Sequence, residues 1–73
     1  MEEYQQRVIE EKADIAEKVC KLERFIDESD DHAISQAEQQ RLGIQLNVMR
    51  AYGLILQQRI DAFYLPPQVK DAA

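Results

Sequence analysis

The sequence has no tryptophan, a single cysteine, and only two glycines and two prolines among 73 residues. One cysteine, Cys20, excludes an internal disulfide, and its ordinary interpretation is a small, half-buried side chain. A domain of this length buries only about 60% of the surface that its unfolded chain exposes. We therefore expect self-association to compensate for a thin core.

Positive charge is also scarce. The chain has nine Lys and Arg residues and fourteen Asp and Glu residues, which gives a net charge of −5. This excess of acid disfavours nonspecific binding to DNA, RNA or anionic membranes. No apolar run reaches the roughly 20 residues that span a bilayer, and the acidic amino terminus is unlike a secretory signal. We expect a soluble, cytoplasmic protein with no nucleic-acid polymer and no membrane as a partner.

Groups that could support catalysis are few. The single histidine, His32, lies in an acidic segment, and the carboxylate pairs Glu10-Glu11 and Asp30-Asp31 are ordinarily solvated charges. The sequence contains no His/Cys ligand spacing, glycine-rich phosphate loop or nucleophile motif. We expect neither an enzyme nor a cofactor or metal site.

Two stripes of apolar residues, spaced by three and four positions, organise the chain and predict two helices. The stripes are Tyr4, Val8, Lys12, Ile15, Val19, Leu22 and Ile26, then Leu42, Leu46, Met49, Gly53, Leu56, Ile60 and Phe63. Helix 1 is predicted from about Glu2 to about Glu28. Helix 2 follows a Ser35-x-x-Glu38 capping box and continues to Phe63 or Tyr64, before Pro66-Pro67 stops it.

The fold predicted from these elements is an all-α, antiparallel two-helix hairpin over residues 1–65, followed by a disordered tail over 66–73. With Glu28 opposite Gln36, facing residues would have numbers that sum to about 64. That register places Lys12 opposite Tyr52 and Gly53. An amine and a missing side chain at one level suggest a small cleft for an anion. Each residue also has an equally ordinary explanation: the stem of Lys12 can lie on apolar surface with its amine in water, and Gly53 can allow the helices to pack closely.

A second stripe on helix 2, formed by Val48, Tyr52, Ile55 and Arg59, runs beside the core face. Two adjoining apolar faces on one helix require more than one partner helix. Because the hairpin supplies only one, this stripe predicts a homo-oligomer.

Cationic and aromatic residues gather in the half of the hairpin away from the connector. Guanidinium and ammonium groups pair with phosphates, and aromatic rings stack on bases. This combination suits a small anionic nucleotide, although scattered Tyr and Arg are also normal on protein surfaces. The candidate ligand-binding residues are Tyr4, Arg7, Lys12, Arg50, Tyr52 and Arg59.

Several segments resemble a family of phage helical hairpins. They are 5–12, 21–26 and 45–49, together with Tyr52 and 58–60, and the resemblance spans about residues 4–63. Members include the anti-CBASS and anti-Thoeris sponges, which sequester the signalling nucleotides of bacterial immunity.

The resemblance implies a hexameric hairpin protein in the cytoplasm of an infected bacterium. It would bind cyclic dinucleotides, cyclic trinucleotides or cyclic ADP-ribose derivatives between chains without cleaving them. The matching positions are Arg7, Lys12, Tyr52 and Arg59, with Tyr4 and Arg50 beside them. Some sponges carry additional amino-terminal sequence that helps to form a pocket, whereas this hairpin starts near Met1, so one class of pocket is expected to be absent or altered.

A different class of function fits the same residues. The double apolar face and the acidic connector also suit a coiled-coil interaction module or a small inhibitor of a host enzyme. The sequence does not fix the messenger, the number of pockets, the symmetry, or the role of the connector with His32.

Overall fold

The computed structural model describes residues 1–29 and 33–65 and contains two helices, α1 (Glu3–Glu28) and α2 (Gln36–Phe63). The helices pack against each other along their length. Contacts between early residues of α1 and late residues of α2 make the pair antiparallel. The all-α hairpin and its two predicted helices are confirmed. The connector residues 30–32, with His32, and the predicted tail 66–73 lie outside the described residues.

Local hydrogen bonds define the ends of α1. The backbone N–H of Glu2 donates to Oε1 of Gln5 at 3.0 Å, which satisfies a donor that the helix itself cannot pair. Neither glycine nor proline occurs between these ends. At the far end the Ser29 hydroxyl donates to the carbonyl of Phe25 at 2.6 Å. The helix therefore begins one residue later than predicted and ends at the predicted Glu28.

The start of α2 uses half of the predicted capping box. Ser35 Oγ accepts from the backbone N–H of Glu38 at 3.1 Å. The Glu38 carboxylate does not reach back to Ser35 within the part of the chain that is described. It accepts instead from Nε of Arg41 at 2.9 Å. The helix ends at Phe63, as predicted.

The core is a single thin seam. Its buried members are Val8, Ile15, Leu46 and Leu56, all of which belong to the two predicted stripes. The partly buried side chains of Met49, Ile60 and Phe63 pack on Val8, Ile15 and Leu56. Fully burying one such side chain contributes about 1.5–3 kcal/mol. A seam with four buried side chains therefore gives the isolated hairpin little reserve of stability.

Two contacts between the helices depart from the predicted register by three or four residues. Gly53 faces Ile15, and the ring of Tyr4 contacts the ring of Phe63. These pairs have residue numbers that sum to 68 and 67 rather than 64. A shift of about four residues returns each helix to nearly the same face, so the same stripes remain buried in either register.

Neither described helix is both long enough and apolar enough to cross a membrane.

Candidate ligand-binding groove

An open groove of about 400 Å³ runs between the helices on one side of the hairpin. Its volume lies within the range of about 300–1,000 Å³ that is typical of small-molecule sites. Most of its wall is apolar, and two cationic side chains border it. The groove is lined by Lys12, Ile15, Ala16, Val19, Met49, Arg50, Gly53, Leu54 and Gln57.

Lys12 is the charged residue of α1 that lines this groove, and it is half-buried. Its amine has no ion-pair partner among residues 1–29 and 33–65. Gly53 lies across the groove, where a side chain would take up part of the volume. The predicted pairing of an amine with a missing side chain is thus present in one groove, although Gly53 directly faces Ile15 rather than Lys12.

Arg50 borders the same groove on α2, and its guanidinium forms an ion pair with Glu23 of α1. It also lines a second groove of about 310 Å³ together with Glu23 and Asp27. Arg50 is in the middle of α2 and its side chain contacts the half of α1 that leads to the connector. It therefore lies at the midpoint of the hairpin, at the border of the half away from the connector to which the sequence pattern assigned it.

Tyr52 and Arg59 are directed away from this groove. Neither residue lines it, although Tyr52 directly precedes Gly53. Successive residues of an α-helix are rotated by about 100°, so neighbours in sequence occupy different faces. Tyr52 is 42% exposed, and Val48 and Ile55 beside it are 62% and 52% exposed. The predicted second stripe is thus an exposed face of the described hairpin.

Tyr4 and Arg7 lie near the start of α1, at the open end of the hairpin. The rings of Tyr4 and Phe63 meet edge to face, with 5.8 Å between their centroids. Arg7 pairs with Glu3 at 3.7 Å, and both side chains are largely exposed. An exposed pair of this kind has a weak net interaction, which leaves the guanidinium available to another anion.

The six candidate residues therefore do not form one cluster in a single hairpin. Lys12 and Arg50 share the groove, Tyr52 and Arg59 lie on a different face of α2, and Tyr4 and Arg7 lie at the open end. Sequence reasoning missed three further lining residues. One signal was available, since Ala16 follows Lys12 by one helical turn, and Leu54 and Gln57 follow Gly53 by one residue and by one helical turn. The missed lining residues are Ala16, Leu54 and Gln57.

Acid–base and metal chemistry find little support in the described residues. No group of three or more His, Cys, Asp and Glu side chains among them could hold a metal ion. The pKa of Glu17 is lowered by a hydrogen bond and by the positive charge of Lys21, which lies 2.9 Å away. Glu17 is largely exposed and does not line the groove. Its shift reflects a surface ion pair.

The fold and the groove define a small helical-hairpin protein with an open, largely apolar groove that two cationic side chains border. A model of the Sequestin family matches residues 2–62, so the chain belongs to the Sequestin family. This match confirms the resemblance to the sponge family of phage anti-defence proteins. No curated protein and no solved structure matches the chain.

Proposed function

We propose that the protein binds and sequesters cyclic oligonucleotide or cyclic ADP-ribose-type messengers of bacterial anti-phage defence, without cleaving them. Membership of the Sequestin family favours a binding or sequestering role over catalysis. The observation that carries the proposal is the apolar groove lined by the half-buried residue Lys12, whose amine has no carboxylate partner in the described part of the chain. The protein would act in the cytoplasm of an infected bacterial cell.

The groove supplies two kinds of contact that such a messenger needs. Its apolar wall, with the open space at Gly53, accommodates a base or a ribose. Lys12 and Arg50 at its border provide ammonium and guanidinium donors for phosphate oxygens. The mechanism is mass action, because each occupied site lowers the concentration of free messenger without a chemical step.

The remaining candidate residues require more than one copy of the chain. Tyr52 and Arg59 lie on another face from Lys12 and Arg50, so one hairpin cannot bring the four around a single small ligand. A neighbouring copy that covers the exposed stripe of α2 would bring its own groove or helix end to Tyr52. We therefore propose a homo-oligomer, with six copies expected from the family resemblance, in which each ligand lies between chains.

Calorimetry tests the proposal directly. The purified protein is titrated with a panel of cyclic dinucleotides, cyclic trinucleotides and cyclic ADP-ribose, and thermal shifts are recorded for the same compounds. The expected result is saturable heat and a raised Tm for at least one compound. If no compound produces either heat or a thermal shift, the proposal is wrong.

Recovery of the ligand separates binding from cleavage. After saturation the protein is denatured, and the released compound is analysed by mass spectrometry. Sequestration predicts that the compound returns intact and in stoichiometric amount, whereas an enzyme would release a hydrolysed product. Because the chain has no tryptophan, absorbance at 260 nm of the freshly purified protein also reports any nucleotide that is carried through purification.

A protein-interaction module is the alternative, and one observation favours it. The exposed apolar residues Ile44, Val48, Tyr52 and Ile55 follow one side of α2 and would suit a partner helix. Pulldown from a bacterial lysate discriminates between the two functions. A stoichiometric host protein supports the adaptor or inhibitor, and a copurified nucleotide supports the sponge.

A further inference from the structure

The ion pair between Glu23 and Arg50 differs from the others in the described residues. It joins α1 to α2, whereas the other pairs join residues three or four positions apart in one helix. Those within a helix are Glu3–Arg7, Glu17–Lys21 and Glu38–Arg41. The Arg50 guanidinium of α2 therefore binds a carboxylate of the other helix, α1.

Arg50 stands between two grooves of opposite character. On one side is the apolar groove with the Lys12 amine, and on the other is the smaller groove with Glu23 and Asp27. In the structure the guanidinium lies on the acidic side. An arginine side chain has several rotatable bonds, so a change of rotamers can turn the guanidinium toward either groove.

The contact with Glu23 is weak enough to exchange. The Arg50 and Glu23 side chains retain 51% and 39% of their exposure. Water and salt screen a pair at this exposure, which limits its net contribution to a factor of about five in an equilibrium. A phosphate presents several acceptor oxygens to a guanidinium and can bind it through two parallel hydrogen bonds. A ligand phosphate beside Lys12 can therefore displace the carboxylate.

We propose that Glu23 is a built-in competitor of the ligand. Its carboxylate occupies the Arg50 guanidinium in the free protein, and an anionic group bound in the Lys12 groove takes that guanidinium over. Glu23 thereby sets the affinity of the site and gives preference to ligands whose phosphate reaches Arg50 over those that contact Lys12 alone. This inference rests on the proposed function, because it concerns the same groove.

Inorganic pyrophosphate is the probe for this exchange, and the backbone amide signal of Gly53 in a ¹H–¹⁵N NMR spectrum reports on the groove in every variant. The wild type is compared with Glu23→Gln and with Asp27→Asn. Both substitutions remove one negative charge beside Arg50, but only Glu23 forms the ion pair. Glu23→Gln is expected to tighten pyrophosphate binding by about two- to fivefold, and Asp27→Asn by less.

A double-mutant cycle shows whether the effect passes through Arg50. In an Arg50→Gln background, Glu23→Gln is expected to leave pyrophosphate affinity unchanged, because no guanidinium remains to be released. Three results would overturn the inference: equal gains from Glu23→Gln and Asp27→Asn, an unchanged gain after removal of Arg50, or no response of the Gly53 signal to pyrophosphate in any variant. Circular dichroism establishes that every variant is folded.

The same variants distinguish this inference from the proposed function. If the exchange occurs with pyrophosphate but calorimetry finds no cyclic nucleotide that binds, the competitor role of Glu23 stands and the proposed messenger is wrong. If cyclic nucleotides bind the wild type and Glu23→Gln with equal affinity, sequestration stands and the competitor role is overturned.

Discussion

A Cβ atom built on Gly53 would lie 3.6 Å from Cγ2 of Ile15, which is an ordinary van der Waals distance. The helices are therefore not so close at this level that only glycine fits. Close helix packing was one of two explanations for a glycine in the middle of α2, and this distance does not require it. The other explanation, space kept open for a ligand, agrees with the position of Gly53 in the wall of the groove.

Replacing Gly53 with alanine should stabilise the hairpin. Alanine is favoured over glycine in a helix interior by about 1 kcal/mol, and the added methyl group meets Ile15 without a clash. We expect the free energy of unfolding to rise by about 0.5–1 kcal/mol. Urea denaturation followed by circular dichroism measures the change.

Gly43→Ala is the matched control for that substitution. It makes the same change in the same helix, and a Cβ atom there meets nothing within 4 Å. The hairpin alone therefore predicts an equal gain. A loss of stability at Gly53 would contradict the spacing between Gly53 and Ile15. A loss at Gly43 alone would indicate that another copy of the chain packs against that position.

The register shows how far the sequence could lead. The periodic stripes predicted both helices and their buried faces, because a spacing of three and four residues identifies one side of a helix. The same stripes do not determine how far one helix is displaced along the other. A slide along the helix axis keeps Ile15 in the seam but brings Gly53 opposite it, while Met49 still packs on the same cluster. Side-chain fit decides this choice, and fit is not visible in periodicity.

The candidate site shows a second limit of sequence reasoning. Position along the hairpin grouped Tyr52 with Lys12, but rotation about the axis of α2 separates them. The pairing of Lys12 with Gly53 was predictable because both residues interrupt an apolar stripe. The Arg50–Glu23 contact was not predictable, because it joins positions 27 apart across the hairpin and depends on the register.

Replacing Lys12 with methionine should weaken ligand binding without loss of stability. Methionine retains most of the apolar stem but removes the charge, and the Lys12 amine has no ion-pair partner in residues 1–29 and 33–65. A hydrogen bond to a charged group contributes about 1.5–3 kcal/mol. We expect affinity for the bound cyclic nucleotide to fall by about 10- to 100-fold in calorimetry, with a change in unfolding free energy below about 0.5 kcal/mol.

Lys18→Met provides the comparison for the loss of one positive charge. Lys18 is exposed on the same helix and does not line the groove. Its replacement should leave affinity nearly unchanged. Equal losses in the two variants would show that net charge, rather than the Lys12 amine in the groove, governs binding.

The surface pair of Glu17 and Lys21 gives the stability a small dependence on pH. A hydrogen bond and the charge of Lys21 lower the pKa of Glu17 in the folded chain. The stabilisation is therefore complete above the pKa of Glu17 in the unfolded chain and is lost as the pH falls through its lower, folded value. Urea midpoints measured between pH 7 and about pH 3 should decline less steeply in Glu17→Gln than in the wild type. A steeper decline in the variant would contradict the direction of the shift.

In the proposed homo-oligomer, the exposed stripe of α2 should form the contact between copies. Ile55 is 52% exposed in the hairpin and lies beside Tyr52 and Val48 on that stripe. An aspartate at position 55 would place an unpaired charge in an apolar interface. We expect Ile55→Asp to raise the dissociation constant of the assembly on the order of 100-fold, as measured by sedimentation velocity, while the helical circular dichroism signal is retained.

Gln58→Asp introduces the same charge at an exposed polar position of α2 and should leave the assembly intact. Loss of assembly in Ile55→Asp should also weaken nucleotide binding, because Tyr52 and Arg59 then no longer lie beside the groove of a neighbouring copy. The decisive comparison is therefore between mass and affinity in the same sample. Suppose that Ile55→Asp is monomeric at micromolar concentration and still binds the messenger as tightly as the wild type. Each hairpin would then contain a complete site, and the proposal that chains share a site would be wrong.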